Sequence, residues 1–439
     1  MLKAQTKKRL KKIINLALPS GVNAFLDIFV IAVNMLFMSY IDDAHTLAMG
    51  ISLNFLMLFY AVNAVFSIGT SAQISRYFGA REYQRASSVL SSVALGGLLL
   101  SLPLVLVGYF GGKYFFEWLG VSAQVRDIAL EFNTFAAFAL PAMIIKNIFT
   151  SAFSSIGNTL YPLLVRSASV VFSIALTYWF VLVWGQGMVG AGVAYLIAVH
   201  IDIVIFGILF LRKGGFFKAM PFERDLLLKA LRIGLPAGIE RLLTLFSLVL
   251  TTKIIATFSD WVLTGAQIGT RIEAFSFMPG FGFMLAAMVL MGQNLGARKV
   301  KLAALYVRTT LIFSSIVMGI SGVILVLFAR EFSLIFSSHE EVVGASIAYL
   351  IAVGLSQIPL IWAFVLDGAL RGAGNTKVAL FINAGSIWCF RIMPMGLLVM
   401  LGFGIEWVFG VICVETYIRA AIFWRVFKKG VWKRVGSEV

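Results

Sequence analysis

The chain is built almost entirely from apolar runs that are each long enough to cross a bilayer. Of its 439 residues, 60% are apolar and 13% are charged, and the mean hydropathy is +0.95. Soluble domains carry about 25% charged residues. Only helices and closed barrels satisfy their backbone hydrogen bonds inside lipid, and no run alternates as barrel strands do. The sequence therefore predicts an all-α membrane protein with little chain left for a soluble domain.

Polar or basic breaks divide the chain into twelve apolar runs, each of which can supply the roughly 20 residues that a span needs. They lie near 13–40, 45–76, 88–112, 126–152, 160–184, 188–211, 229–257, 262–292, 302–329, 341–370, 377–401 and 405–427. The first run is too long for the core of a signal peptide and lacks a small-residue cleavage site. We therefore expect twelve transmembrane helices, including a retained first helix.

Lysine and arginine collect in alternate breaks, whereas the intervening breaks are acidic or neutral. The basic residues in question are Lys3, Lys7, Lys8, Arg9, Lys11, Lys12, Arg76, Arg81, Arg85, Arg212, Lys213, Lys218, Arg224, Lys229, Arg232, Arg298, Lys299, Lys301, Lys428, Lys429, Lys433 and Arg434. Cytoplasmic loops are enriched in such residues. We expect a multi-pass protein of the cell (inner) membrane with both termini in the cytoplasm. The net charge of +16 thus reflects loop placement and not a nucleic-acid partner.

Short motifs recur at a constant offset along the whole chain. The pairs are LALPSG with IGLPAG, starting at 16 and 233, FGAREYQRA with LGARKVKLA, starting at 78 and 295, and SSIGNT with RGAGNT, starting at 154 and 371. Two six-helix halves in the same orientation are a known transporter plan. We predict an N-terminal lobe at 1–211, a cytoplasmic connector at 212–228 and a C-terminal lobe at 229–439. Duplication of a scaffold without a transport role is the alternative.

These paired motifs, together with GTRIEAFSFMPGFGF followed by GQNLGAR, resemble the multidrug and toxin extrusion (MATE) family, in its bacterial form. That family belongs to the wider multidrug, oligosaccharidyl-lipid and polysaccharide flippase superfamily. The resemblance implies twelve helices in two lobes around a central cavity. It also implies export of drugs or metabolites driven by inward flow of H⁺ or Na⁺.

The chain departs from the family pattern in its first half. Many members have an Asp in the first helix and an Asn and an Asp in the fifth. The matching positions here are Asn34, Ser173 and Thr177. The usual carboxylate site of the N-terminal lobe is therefore missing, so either coupling has moved elsewhere or this branch differs from the family.

Several charged residues fall in the middle of predicted helices. Glu240 and Glu273 each lie about 16 Å from the start of their helix, counted from opposite membrane faces. Arg271 is about 14 Å deep and Arg391 about 21 Å. A charge at mid-bilayer costs about 2.5–3.5 kcal/mol on insertion scales. Each of these residues should therefore face a cavity or a partner.

Arg271 and Glu273 are two positions apart and so point to nearly opposite sides of one helix. We expect Arg271 to meet an acid on another helix, and Glu273 to meet a base, water or a cation. Glu240, Arg241 and Arg391 are nearest in depth. The sequence thus predicts a buried charge network of Arg241, Arg271 and Arg391 in the second half.

The carboxylates of Glu240 and Glu273 are candidates for coupling to H⁺, or to Na⁺ bound at either residue, because a buried carboxylate without a permanent base can exchange a cation. Glu240 follows Pro236 by four residues, and prolines such as Pro236 and Pro19 allow a helix to bend. Asp27 is a third candidate in the first helix. The alternative for Glu240 and Glu273 is that they form static salt bridges, and for Asp27 that it only accepts hydrogen bonds.

Other polar residues within the spans have plainer interpretations. His200 and Asp202 in the sixth helix could handle protons, although a hydrogen-bonded core histidine is more common. Two acid–base pairs spaced four apart on a helix should be structural. They are Glu415 with Arg419 and Asp367 with Arg371.

The sequence contains no GxxxxGK[ST] motif for ATP, no HExxH motif and no clustered Cys and His residues. We therefore expect neither an enzyme nor a metal or cofactor beyond the coupling ion. Cys389 and Cys413 lie in apolar runs, which argues against a disulfide.

The abundant Phe, Met and Trp suit a small-molecule substrate that is amphiphilic and cationic. The buried arginines suggest instead a flippase for a lipid or lipid-linked precursor. A membrane enzyme or a channel is a weaker alternative, because neither clustered catalytic residues nor filter-like loops are found. We expect a monomer.

Overall fold

The computed structural model describes residues 2–212 and 214–434. Lys213, one of the predicted basic residues, lies outside the described residues, and so do the side chains of Lys3 and Arg434. The described chain is helical almost throughout. The helices are α1 Leu2–Ser39, α2 Asp43–Gly79, α3 Tyr83–Trp118, α4 Ala123–Ser155, α5 Leu160–Thr177, α6 Gly187–Leu211, α7 Arg224–Ile255, α8 Asp260–Gly296, α9 Val300–Leu327, α10 Ala329–Leu334, α11 Glu340–Leu355, α12 Gln357–Gly372, α13 Thr376–Ser386, α14 Met393–Met400, α15 Ile405–Lys428 and α16 Val431–Arg434, with π-helical segments at Tyr178–Val183 and Ile387–Ile392.

Within these described ranges, 11 helical segments are long and apolar enough to cross a membrane, and the count reaches 12 if one bent pair is a single span. That pair is Glu340–Leu355 and Gln357–Gly372, which meet at 54° where one run near 341–370 is predicted. Pro359 explains the break, because a proline ring clashes with the carbonyl four residues earlier, here that of Leu355. The predicted all-α membrane fold is confirmed.

The sequence repeat also appears in the backbone conformation. Arg81 and Arg298 have φ values of 64° and 58°, a left-handed conformation that is uncommon for residues other than glycine. Gly157 and Gly374, which the repeat also pairs, have φ values of 95° and 79°. Equivalent positions in the two halves therefore adopt the same unusual conformation.

The paired GAR motifs end α2 and α8 with the same hydrogen bonds. The Glu82 amide donates to the Tyr77 carbonyl at 2.8 Å, and the Lys299 amide donates to the Asn294 carbonyl at 2.8 Å. This closure is the helix-ending arrangement that requires a left-handed residue just before the donor. The motif is therefore a helix stop that the duplication has preserved.

The described chain forms two compact units. Unit 1 comprises Met1–Val22 and Ile239–Val439, and unit 2 comprises Asn23–Gly238. The units differ from the predicted lobes at the starts of α1 and α7, because each of these helices passes from one unit into the other. Both crossing points lie at the end of an LP-x-G motif.

Glycines explain why the first parts of α1 and α7 pack as they do. In unit 2, a Cβ on Gly234 of α7 would collide with the backbone carbonyl of Val65 on α2. In unit 1, a Cβ on Gly282 of α8 would collide with the carbonyl of Ala17 on α1. Close backbone approach of this kind is typical of small residues at helix crossings in membranes. The repeat relates these two crossings, since Ala17 corresponds to Gly234 and Val65 to Gly282.

Candidate functional site

Glu240 lies at the start of the α7 segment that belongs to unit 1, and Arg371 on α12 binds it. Arg371 Nη2 donates to Glu240 Oε1 and Oε2 at 2.7 and 2.8 Å, and Asn383 Nδ2 donates to Oε1 at 2.9 Å. The Glu240 side chain is 12% exposed and that of Arg371 is 8% exposed. A charge-assisted, two-pronged contact of this type fixes geometry as well as adding energy. Glu240 is thus held by α12 and α13.

A second carboxylate shares the same guanidinium. Arg371 Nε donates to Asp367 Oδ1 and Oδ2 at 2.9 and 2.8 Å. The predicted Asp367–Arg371 pair on α12 is confirmed. Its spacing in the sequence could not indicate that Arg371 also binds Glu240. Two acids therefore face one base, which leaves a net negative charge at this point.

A second group of charges lies around Glu415 on α15, whose side chain is fully buried. Arg391 Nη2 donates to Glu415 Oε2 at 2.6 Å, Ser386 Oγ donates to Oε1 at 2.8 Å, and Arg419 Nε lies 3.2 Å from Oε1. The predicted Glu415–Arg419 pair is confirmed, with Arg391 as a second base. Arg391 belongs to the π-helical segment Ile387–Ile392. Such segments are frequent at functional sites.

Glu273 on α8 has a hydroxyl partner instead of a base. Tyr349 Oη on α11 donates to Glu273 Oε2 at 2.7 Å. Gly269 permits this contact, because a Cβ there would come within 2.6 Å of the tyrosine ring. Among the described residues no base lies within salt-bridge distance of Glu273, although Arg391 interacts with it electrostatically. Glu273 is therefore a half-buried acid with a hydroxyl partner and no described base within salt-bridge distance.

The expectation that Arg271 meets an acid on another helix is wrong for the described chain. Its side chain is exposed and forms no ion pair with any described residue. Arg271 is two positions from Glu273 and so leaves the helix on the opposite side. Arg241 is also exposed, on α7. Of the three predicted bases, Arg391 belongs to the buried network, together with Arg371 and Arg419.

Within the group that the contacts above link together, acids and bases are unequal in number. They act on one another, because Arg419 interacts with Glu240 and Asp367 as well as with Glu415. Four carboxylates face three guanidinium groups: Glu240, Asp367, Glu273 and Glu415 against Arg371, Arg391 and Arg419. An uncompensated charge away from water is expensive. This group therefore contains one more carboxylate than guanidinium.

Unit 2 also contains charged residues, but it has no acid at the three positions that correspond to the family's usual carboxylate site. Asn34, Ser173 and Thr177 are all buried, and Asn34 Oδ1 has no hydrogen-bond partner within the described chain. Asp27 pairs with Arg166 Nη2 at 2.7 Å and keeps 48% of its side-chain surface exposed. His200, also a predicted residue, is exposed, and its Nδ1 lies 2.7 Å from the Leu196 carbonyl. Asp27 is thus an ion-paired and half-exposed acid.

Sequence and structure comparisons agree on the protein's relatives. The chain is 25% identical to the probable multidrug resistance protein NorM of Thermotoga maritima, over 97% of this chain and 93% of the relative. It is 22% identical to the multidrug export protein MepA of Staphylococcus saprophyticus, over 84% and 83% of the two chains.

Solved structures share the fold. The Vibrio cholerae MATE transporter VcmN in its bent form superimposes with a TM-score of 0.92 at 22% identity, covering 99% of both chains. A MOP superfamily transporter from Pyrococcus furiosus gives a TM-score of 0.91 at 18% identity over 97% of both chains. The two-lobe repeat fold implied by the motifs is therefore confirmed.

The sequence profile of the MatE family matches residues 19–179 and 236–395, one copy in each half of the chain. Each copy begins at the proline of an LP-x-G motif and includes five of the six apolar runs of its half. The chain belongs to the MatE family of membrane transporters.

Proposed function

We propose that this protein is a secondary active exporter that moves amphiphilic, cationic drugs or metabolites out of the cell in exchange for H⁺ or Na⁺. It works by alternating access of its two lobes, as a monomer in the cell (inner) membrane with both termini in the cytoplasm. Names of relatives such as multidrug resistance protein and multidrug export protein support a drug-like small-molecule substrate.

The observation on which the proposal rests is the excess of one acid in the buried network of unit 1. Glu240 and Asp367 share the single base Arg371, so the two acids can bind one cation while both arginine contacts are kept. When the cation leaves, the excess negative charge returns. A reversible change of charge inside a bilayer is what coupling of a small ion to a larger cargo requires.

The same excess of acid favours a cationic substrate over an anionic one. A flippase for anionic lipid precursors needs a surplus of buried bases. Of the three arginines that suggested one, Arg241 and Arg271 are exposed, and Arg391 is paired with Glu415. The flippase remains the second candidate only through membership of the same superfamily.

The test is transport of a fluorescent cationic dye by the full-length protein in proteoliposomes. A proton gradient and a sodium gradient are imposed separately, and empty liposomes serve as the control. We expect dye movement with one of the two gradients. Movement of a labelled anionic lipid without any response of the dye would replace this proposal with the flippase.

A further inference from the structure

Asp202 on α6 is the most deeply buried acid of unit 2, and its charge has no hydrogen-bonded compensation. It is 1% exposed, and neither carboxylate oxygen has a hydrogen-bond partner among the described residues. The nearby Ser169 hydroxyl donates instead to the Ala198 carbonyl at 3.3 Å. The charged partner of Asp202 is Lys146 on α4, whose Nζ lies 3.5 Å from Oδ2. An ionised carboxylate in this environment is costly.

The elements around α6 contribute a small set of charged and titratable groups. Those that act on Asp202 directly are Lys146 from α4, Arg166 from α5 and Tyr195 from α6 itself. Arg166 in turn binds Asp27 of α1, and Tyr195 interacts with Tyr60 of α2. The fixed charges of this group balance, since two acids face two bases. The group therefore becomes cationic when one acid is neutralised.

The repeat shows that helix packing alone does not require an acid at this position. Residue 419 of α15 is the equivalent of residue 202, and there the chain has Arg419. The equivalent of Lys146 is Ala363, which is apolar and buried. Both members of the Asp202–Lys146 pair are thus peculiar to unit 2.

We propose that Asp202 is a proton-binding site of unit 2, with Lys146 setting how readily the proton is released. In the binding step, one carboxylate oxygen forms an O–H bond with a proton taken from water. The product is a neutral carboxylic acid, and Lys146 remains an ammonium. Release of the proton restores the ion pair.

The geometry favours a proton over Na⁺ at this site. A sodium ion needs several oxygen ligands, whereas the ammonium of Lys146 at 3.5 Å repels a second cation and occupies the side of Oδ2. A proton needs only one oxygen. The half-exposed Asp27, joined to Arg166, gives the group a contact with the exterior of unit 2.

Asp202 would thereby replace the acids that the family pattern places at the positions of Asn34 and Thr177. Its protonation makes the group cationic, which disfavours a cationic cargo near unit 2. This link to cargo rests on the proposed function, whereas proton binding itself does not.

The test is infrared difference spectroscopy of the full-length protein in lipid nanodiscs, titrated from acidic to alkaline pH. We expect a carbonyl stretching band of a protonated carboxyl group in wild-type protein that disappears as the pH rises. Relative to wild type, the Asp202→Asn variant should lose the part of this band that Asp202 contributes. The Asp127→Asn variant should keep it, because that aspartate side chain is 64% exposed. A band that titrates identically in wild type and Asp202→Asn overturns the proposal.

Variants of Lys146 test the proposal even if Asp202→Asn does not fold. Lys146→Met removes the positive charge that stabilises ionised Asp202, so the carboxylic-acid band should persist to alkaline pH. Lys146→Arg keeps the charge, so the band should again disappear as the pH rises. A band in Lys146→Met that disappears at the wild-type pH contradicts the role of Lys146. None of these readouts depends on transport, so failure of the dye assay and failure of this inference are separate results.

Discussion

Arg419 and Asp202 occupy equivalent positions in the two copies of the repeat and carry opposite charges. Arg419 lies 3.2 Å from Glu415 in unit 1, and Asp202 lies 3.5 Å from Lys146 in unit 2. Helix positions and turns were preserved after the duplication, while the buried charges diverged. The two halves therefore share a scaffold and differ in the ions that they can hold.

Replacing Arg371 with methionine should destabilise the protein strongly. The change leaves Glu240 and Asp367 buried without their shared base, and loss of one partner from a buried ion pair costs about 3–5 kcal/mol. We expect a lower thermal unfolding temperature in detergent. The Arg330→Met variant, altered at an exposed arginine of α10, should unfold at the wild-type temperature.

A rescue variant distinguishes loss of charge balance from loss of packing. Adding Glu240→Gln and Asp367→Asn to Arg371→Met removes the stranded carboxylates and should recover much of the stability. If the triple variant is no more stable than Arg371→Met alone, the shared guanidinium does not act through charge.

The Tyr349→Phe variant removes the hydroxyl that donates to Glu273 and keeps the ring in place against Gly269. A buried acceptor left without its donor costs about 1–3 kcal/mol. We expect a matching loss of stability in thermal unfolding. Tyr114→Phe, at a tyrosine that is 71% exposed, is the matched control and should be neutral. Equal behaviour of the two variants would show that the hydroxyl contact is unimportant.

The Gly282→Ala variant tests the crossing of α1 and α8 within unit 1. The new Cβ would meet the Ala17 carbonyl, a backbone atom that cannot rotate away, and overpacking of this kind costs about 1–3 kcal/mol. Gly207→Ala on α6 has no atom within 4 Å of the new Cβ and should be neutral or stabilising. A Gly282→Ala protein as stable as Gly207→Ala would refute the close crossing.

The loop between α1 and α2 should respond to acid through Asp42. This residue caps α2, and hydrogen bonds from the backbone amide and the ring of His45 lower the pKa of its carboxyl. A lowered pKa contributes stability above the unfolded value of about 3.9, and this contribution is lost as the pH falls through the folded pKa.

Hydrogen exchange of the His45 amide, corrected for the intrinsic pH dependence of exchange, measures this cap directly. Protection should fall in acid for the wild type. The Asp42→Asn variant keeps an acceptor oxygen but does not titrate, so its protection should not change with pH over the same range. Acid sensitivity that persists in Asp42→Asn would assign the effect to another group.

The sequence predicted many of the features that depend on local periodicity or on the repeat. Apolar run lengths placed the spans, and residues four apart on a helix indicated the Asp367–Arg371 and Glu415–Arg419 pairs. Repeated motifs paired Arg81 with Arg298, which adopt the same left-handed conformation. These features need only the helix pitch and the chain order, both of which are fixed by neighbouring residues.

The sequence did not predict the contacts between distant helices. Depth estimates placed Glu240, Glu273 and Arg271 at a similar level, but depth does not tell which helix is the neighbour or which way a helix is rotated. The sequence therefore did not indicate that Arg371 is the base for Glu240, which lies 131 residues away in sequence. The passage of α1 and α7 between units was hidden for the same reason, because Gly234 and Gly282 look alike in sequence whichever backbone they meet.

Substitution Glu240→Gln tests most directly whether the excess acid of unit 1 couples cation flow to export. Two rates are compared in proteoliposomes: uptake of a cationic dye driven by the coupling gradient, and exchange of dye for dye without a gradient. Glu406→Gln, at an exposed acid of α15, is the control. We predict that Glu240→Gln loses gradient-driven uptake and keeps dye-for-dye exchange. Gradient-driven uptake at the wild-type rate in Glu240→Gln would contradict coupling through this network.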